Sequence, residues 1–272
     1  MERIQILFLD SGTGGLPYML SLKKLAPKVR CVYVGDTAHF PYGEKSLTQI
    51  EQMACGTVER AIKCFNPQII VIACNTMSVA ALKSLRLKFS VPFVGTVPAI
   101  KLAAKSTLNK KIGLLATRHT IEDPYTEDLI NQFASGCSVY KRGDGELISF
   151  IEHHLFTASR EERLRAIAPA VEFFKSSGVD TVVLACTHFL HLLSEFEEAF
   201  GSAVQVIDSR EGVAKQALRL LEESPRIEDF DRKIEQVPDM GVFVTSLKSG
   251  SDEFEYENWC KLSNVPFMGL LP

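Results

Sequence analysis

The sequence predicts an α/β fold of two similar lobes, each built on a mainly parallel sheet flanked by helices, and three observations predict it. The first is the run Ile69-Ile70-Val71-Ile72-Ala73. Its consecutive β-branched residues read as a strand buried on both faces, the kind found inside a parallel sheet. The run passes directly into Cys74-Asn75-Thr76, and Val79, Leu82, Leu85 and Phe89 then fall at near-helical spacing. The second is the return of the same phrase as Thr181-Val182-Val183-Leu184-Ala185-Cys186-Thr187-His188, with Phe189, Leu192, Leu193, Phe196 and Phe200 marking the helix expected beyond it. The third is the alternation of strand-like and helix-like stretches along the chain, which calls for crossover helices on a parallel sheet.

Taken in order, Ile4 to Leu9 is a strand ending in Asp10-Ser11-Gly12-Thr13-Gly14-Gly15, a turn that opens a helix with Pro17 in its first turn. This is not a nucleotide fingerprint: the order is G-x-G-G rather than G-x-G-x-x-G, and a carboxylate stands where phosphate would approach. Cys31 to Val34 is a second strand, followed by the turn-rich loop Gly35 to Gly43. Ser46 is placed to cap the next helix, and Pro67 separates that helix from the Cys74 strand. Val91 to Val97 and Ile112 to Thr117 read as strands, Thr126 to Phe133 and Glu146 to Phe156 as helices, and Gly136 to Gly145 as a strand with turns. Ser159 and Glu162 have capping-box spacing at the start of a helix that Gly178 ends. Val204 to Ile207 is the next strand, and a helix follows from about Val213 to Leu221. The tail from Pro225 is more polar, with a strand at Val242 to Val244 and a helix near Glu253 to Leu262. It is too short for a domain and is expected to return to the first lobe.

Ser11 and Thr117 lie 106 residues apart, and Cys74 and Cys186 lie 112 apart. Offsets this close, joining two pairs of strand ends, point to a duplicated unit. The expected division is 1–98 plus 210–272 as the first lobe with its C-terminal return, and 99–209 as the second. The strand ends of both lobes are expected to face a shared cleft, where small-molecule sites are common.

Composition narrows the class. Hydrophobic residues at 46% and charged residues at 23% suit a water-soluble globular chain with an ample core. A net charge of −3 gives no nucleic-acid footprint, so no nucleic-acid partner is expected. No apolar run reaches the roughly 18 residues of a spanning helix, and the N-terminus lacks a signal-peptide pattern. The seven cysteines show no metal-ligand spacing, which fits free thiols, a cytoplasmic location and no metal.

One thiol at the equivalent strand end of each lobe suits inversion at a carbon centre. One group removes a proton from one face and the other delivers a proton to the opposite face. A cysteine at a helix N-terminus has a lowered pKa and suits this work. A carboxylate (Asp10) and an imidazole (His188) are placed to assist the two thiols. No lysine motif for a pyridoxal Schiff base is evident, so no cofactor is expected. A buried cysteine is more often a small inert hydrophobe, and Cys31, Cys55, Cys64, Cys137 and Cys260 are read so. Asn75 and Thr187 fit helix caps as well as substrate ligands, and His188 fits a structural histidine as well as a catalytic one. His39, His153 and His154 read as solvated or core-edge residues.

Four motifs in order, Asp10-Ser11-Gly12-x-Gly14-Gly15-Leu16, Gly35-Asp36 through Pro41-Tyr42-Gly43, Ala73-Cys74-Asn75-Thr76 and Ala185-Cys186-Thr187-His188, resemble those of glutamate racemase, from the cofactor-independent aspartate/glutamate racemase superfamily. The resemblance runs from about residue 4 to about 222. It implies interconversion of L- and D-glutamate for peptidoglycan synthesis by a two-cysteine acid/base mechanism, with no cofactor, in a cytoplasmic homodimer. The implied catalytic set is Cys74 and Cys186, with Asp10 assisting Cys74 and with His188 and Glu152 assisting Cys186. The implied substrate contacts are Asp10, Ser11, Pro41, Tyr42, Gly43, Asn75, Thr76, Thr117, Thr120, Thr187 and His188. The sequence departs from the family pattern at Ala116, Pro17-Tyr18, Thr96-Val97-Pro98 and Glu122-Asp123-Pro124. An aspartate racemase is the nearest rival. An amino-acid-binding protein without catalysis is disfavoured by the paired thiols, and a DNA gyrase-binding role by the absence of an added basic segment.

Overall fold

The computed structural model describes residues 4–224, 239–247 and 250–272 of the 272-residue chain. The strands are β1 (Ile6–Asp10), β2 (Cys31–Gly35), β3 (Ile69–Ile72), β4 (Phe93–Gly95), β5 (Lys111–Ala116), β6 (Ser138–Gly143), β7 (Thr181–Leu184), β8 (Gln205–Ile207), β9 (Met240–Val244) and β10 (Phe267–Leu270). The helices between β1 and β5 are α1 (Leu16–Leu25), α2 (Leu47–Phe65), α3 (Asn75–Lys88) and α4 (Ile100–Ser106). Those after β5 are α5 (Arg118–Glu122), α6 (Pro124–Phe133), α7 (Gly145–His154), α8 (Arg160–Ser176), α9 (Leu193–Phe200), α10 (Arg210–Glu223) and α11 (Gly250–Ser263).

The fold is α/β with two parallel sheets flanked by helices. The first compact unit takes Met1–Thr96 and Arg210–Pro272, and the second takes Val97–Ser209. The first holds a six-stranded sheet in the order β10-β9-β2-β1-β3-β4, and the second a four-stranded sheet in the order β6-β5-β7-β8. Every strand pair is parallel. The order β2-β1-β3-β4 of the first unit thus recurs as β6-β5-β7-β8 in the second, the topological counterpart of the repeated sequence phrase.

Local chemistry explains the boundaries of α2 and α8. Ser46 accepts from the Gln49 amide while the Gln49 side chain accepts from the Ser46 amide, a full capping box on α2. Asn66, at φ 41°, ends that helix in the left-handed conformation that asparagine tolerates. Ser159 and Glu162 form a second capping box on α8, and Gly178, at φ 67°, turns the chain beyond it. In the first unit Leu7, Leu9, Val32, Val34, Ile70 and Ile72 pack with Val58, Phe65 and Leu85 into one core. In the second, Ile112, Leu114 and Val183 pack with Ile100 and Ala103.

Several elements differ from expectation. The strand expected over Val91 to Val97 shrinks to β4: Pro92 lacks the N–H that a ladder needs, and the Thr96 amide donates to Ser78 Oγ at 2.9 Å instead of to a strand. Glu122-Asp123-Pro124 is a helix junction: Asp123 caps α6 through the Tyr125 amide, and Pro124 occupies the first turn. Residues Arg118–Glu122 form the additional short helix α5. After Cys186 the chain winds first as a 3₁₀ helix, Thr187–Leu192, before α9 begins, so the second strand–cysteine–helix unit is not a copy of the first. The tail contributes β9, paired with β2, and also β10, which alternation alone did not reveal. The part of the polar stretch over 225–238 lies outside the described residues. No helix among the described residues is long and apolar enough to cross a membrane.

Because the Ser46 cap satisfies orphan amides at the start of a 19-residue helix, Ser46→Ala should lower unfolding stability by about 1 kcal/mol. Urea denaturation checks this, and an unchanged midpoint would show that solvent replaces the cap.

Candidate active site

Two backbone hydrogen bonds set the chemistry. Ala73 N donates to Leu9 O at 2.7 Å, and Ala185 N donates to Leu115 O at 2.7 Å. Each bond extends the pairing of neighbouring parallel strands, β1 with β3 and β5 with β7, by one step past their ends. Each therefore holds a cysteine beside the turn that leaves the adjacent strand. Ligand sites of open α/β sheets lie at such carboxyl ends.

In the first unit Cys74 is 5% exposed and is itself the N-cap of α3, with Asn75 as the first helical residue. Asn75 and Thr76 therefore do not cap this helix. The Ser11 hydroxyl lies 3.9 Å from Cys74 Sγ and donates to Asp10 Oδ1 at 3.3 Å, which links thiol to buried carboxylate. The Ser11 amide also donates to Asp10 Oδ1 at 2.6 Å. Gly15 in this turn serves close packing: a Cβ there would meet the Ala73 carbonyl oxygen at 2.8 Å and Asp10 Oδ2 at 2.9 Å. The Tyr33 hydroxyl donates to Gly12 O at 2.6 Å and accepts from Gly15 N at 3.1 Å, fixing the turn from below. Asn75 is buried, and its Oδ1 has no hydrogen-bond partner among the described residues. An orphaned buried acceptor beside a strand-end thiol is ready to receive a donor from a ligand.

In the second unit Cys186, also 5% exposed, lies 3.8 Å from His188 Nδ1. His188 Nε2 lies 2.9 Å from Glu152 Oε2, whose carboxylate on α7 is fully buried. Burial pulls the imidazole pKa down, but hydrogen bonds and charge from Cys186 and Glu152 outweigh it and hold the value well above the usual histidine range. This environment, between a thiol and a carboxylate, favours the protonated imidazole. Thr117 caps α5, accepting from the Thr120 amide at 3.1 Å and donating to the Thr120 hydroxyl at 2.9 Å.

The profile of the Asp/Glu/Hydantoin racemase family matches residues 15–217. The chain belongs to this family. It is an isomerase. The glutamate racemase of Treponema pallidum strain Nichols is 46% identical over 219 residues, covering 80% of this chain and 82% of that one. The glutamate racemase of Sphingopyxis alaskensis is 38% identical over 257 residues, covering 91% and 96%. Among solved structures, Escherichia coli glutamate racemase in complex with L-glutamate and the activator UDP-MurNAc-Ala superposes with a TM-score of 0.85 at 32% identity, covering 99% of this chain and 98% of that one.

Within this racemase fold the predicted residues form two groups. Asp10, Ser11, Asn75 and Thr76 gather around Cys74 at the ends of β1 and β3, with Pro41, Tyr42 and Gly43 in the loop after β2. Thr117, Thr120, Glu152, Thr187 and His188 occupy the turns and helices that follow β5, β6 and β7 in the second unit. His153 and His154 are exposed on α7, while His39 contacts Asp36 at 2.9 Å. All seven cysteines are free. Burial pushes the Cys31 and Cys260 thiols up to about 12, which keeps them inert. No group of three or more His, Cys, Asp or Glu among the described residues is arranged to hold a metal ion. Tyr33 and Thr57 carry no local signal in the sequence because their partners are remote in the chain, and the buried carboxylate of Asp36 is marked there only by its motif.

A histidine whose pKa is higher folded than unfolded stabilises the fold while protonated. That contribution is complete below about 6.5, the unfolded value, and fades as pH rises through the elevated folded value. Glu152→Gln should lower the His188 pKa and flatten this alkaline loss of stability. Imidazole titration by NMR, with urea midpoints across pH, reads both, and an unshifted His188 would exclude the carboxylate as the cause.

Proposed function

We propose that the chain interconverts L- and D-glutamate without a cofactor, with Cys74 and Cys186 as its two acid/base residues. The observation that carries this is the pair of strand-end thiols, each linked to its own buried ionisable partner, in a chain of the racemase family. The substrate assignment rests on the relatives, which are glutamate racemases. The Escherichia coli protein's complex with L-glutamate and a muramyl-nucleotide activator supports supply of D-glutamate to peptidoglycan synthesis in the cytoplasm.

In the L-to-D direction the Cys186 thiolate takes the α-proton, and the electron pair passes into the adjacent carboxylate. The Cys74 thiol then delivers a proton to the opposite face, and the thiols end in exchanged protonation states. In reverse, Cys74 is the base. His188, held protonated between Cys186 and Glu152, stabilises the Cys186 thiolate. Ser11 passes the influence of Asp10 to Cys74. The orphaned Asn75 Oδ1 suits the substrate ammonium. Ser11, Pro41, Tyr42, Gly43, Thr76, Thr117, Thr120 and Thr187 complete the proposed substrate contacts.

In deuterated buffer the wild type should place deuterium at the α-carbon of glutamate and lose optical rotation. Cys74→Ala and Cys186→Ala should each lower racemisation by about 10²–10⁴. With an analogue carrying a leaving group on Cβ, elimination needs only one competent base. Cys74→Ser should retain elimination of the L-enantiomer and Cys186→Ser that of the D-enantiomer. Both variants processing the same enantiomer would refute the two-base assignment.

A further inference from the structure

We propose that Thr245, at the end of β9 on the C-terminal return, is a positioning residue for the Pro41-Tyr42-Gly43 loop and acts through Asp36. This rests on the reading of that loop as a substrate contact. Asp36 follows β2 and is 0% exposed. Its carboxylate accepts from the Tyr42 hydroxyl at 2.5 Å, Thr57 Oγ1 at 3.1 Å and Thr245 Oγ1 at 2.9 Å, and His39 Nδ1 lies 2.9 Å from both of its oxygens. A buried carboxylate is tolerated only when its lone pairs are filled, and these donors fill them.

Thr245 does more than donate to that carboxylate. Its Oγ1 accepts from Ala38 N at 3.0 Å, and its own amide donates to Gly35 O at 3.0 Å. Next to it, the Ser246 amide donates to Thr37 Oγ1 at 3.0 Å, and the Thr37 hydroxyl donates to Ser246 O at 2.6 Å. The turn over Asp36 to Ala38 is thus gripped by two residues more than 200 positions away in sequence.

Tyr42 transmits this grip. Its ring lies in the same apolar cluster as Cys74 and is 2% exposed. Burial, with the Asp36 charge beside it, pushes the phenol pKa far above the usual tyrosine range, so the hydroxyl stays protonated. Its single proton is committed to Asp36. The carboxylate therefore fixes the phenol, and the phenol fixes the loop backbone from Pro41 to Gly43. Removing a donor from Asp36 leaves a buried charge under-satisfied and loosens this seat.

Thr245→Val keeps the side-chain shape and deletes the hydroxyl. Its KM for glutamate should rise about tenfold, the size expected for one hydrogen bond to a buried charge, while kcat stays within about threefold. Thr245→Ser should restore KM. Added to Tyr42→Phe, Thr245→Val should raise KM no further, because both cut the same chain of contacts. Thr57→Val, which removes another donor to Asp36 without touching the return, should shift KM in the same direction and covers the case of a poorly folding Thr245→Val. Amide hydrogen exchange adds a readout independent of turnover: peptides over 36–43 should exchange faster in Thr245→Val, with β1 and β3 unchanged. A lowered melting temperature with KM and exchange over 36–43 both at wild-type values would overturn the proposal and leave Thr245 as a staple of the return. A wild type that fails to exchange the glutamate α-proton would instead overturn the assigned reaction, while the exchange measurement still decides the coupling of Thr245 to the loop.

Discussion

The structure depends on the meeting of two parallel strand ends, made once in each compact unit. Ala73 N bonds to Leu9 O in one unit and Ala185 N bonds to Leu115 O in the other. Each bond is ordinary in strength, of order 1 kcal/mol net. Its consequence is positional. It fixes where the chain leaves the sheet, so a thiol one residue later stands beside the polar turn of the neighbouring strand. The central strands pair Leu9 with Ile72 and Leu115 with Leu184 as buried side chains, and a one-residue slip would exchange the packing partners on both buried faces. Core packing therefore enforces the register that places the sulfurs.

Around this shared frame the two halves use different chemistry. The first couples its thiol to a carboxylate through a hydroxyl, Cys74 to Ser11 to Asp10. The second couples its thiol to a carboxylate through an imidazole, Cys186 to His188 to Glu152. A hydroxyl relays polarity without holding charge near neutral pH, whereas the imidazole, with its pKa raised by its partners, favours a bound proton. The backbone after the cysteine differs to match: α3 starts at once after Cys74, while a 3₁₀ segment carries Thr187 and His188. The weaker hydrogen-bond geometry of that segment is offset by the buried partners of His188.

Polar groups are buried in quantity here, and their satisfaction comes from distant parts of the chain. Asp10 shares its turn with Tyr33 from β2, and Asp36 draws donors from the following loop, α2 and the C-terminal return. Such networks are costly when incomplete and rigid when complete. The orphaned Asn75 Oδ1 stands out against them, since it is next to Cys74 and no donor among the described residues reaches it.

Much of this was legible in the sequence because it is local. Period and β-branching marked Ile69–Ile72 and Thr181–Leu184 as central strands, capping chemistry marked Ser46 and Ser159, and the echoed phrase marked Cys74 and Cys186 as a pair. The ordered motifs added Asp10 and His188, whereas Glu152, which lies outside them, came only with the family resemblance. What the sequence could not determine depends on contacts between remote residues. The 36-residue gap between Glu152 and His188 carries no periodic signal for their hydrogen bond, and nothing local in Tyr33 announces that its hydroxyl braces the Asp10 turn. β10 was missed because its alternating half-buried residues gain strand character only from pairing with β9. The seat of Tyr42 on Asp36, braced by Thr245, exists only once β9 has paired with β2, since hydrogen bonds between distant segments form only after the sheet has brought them together.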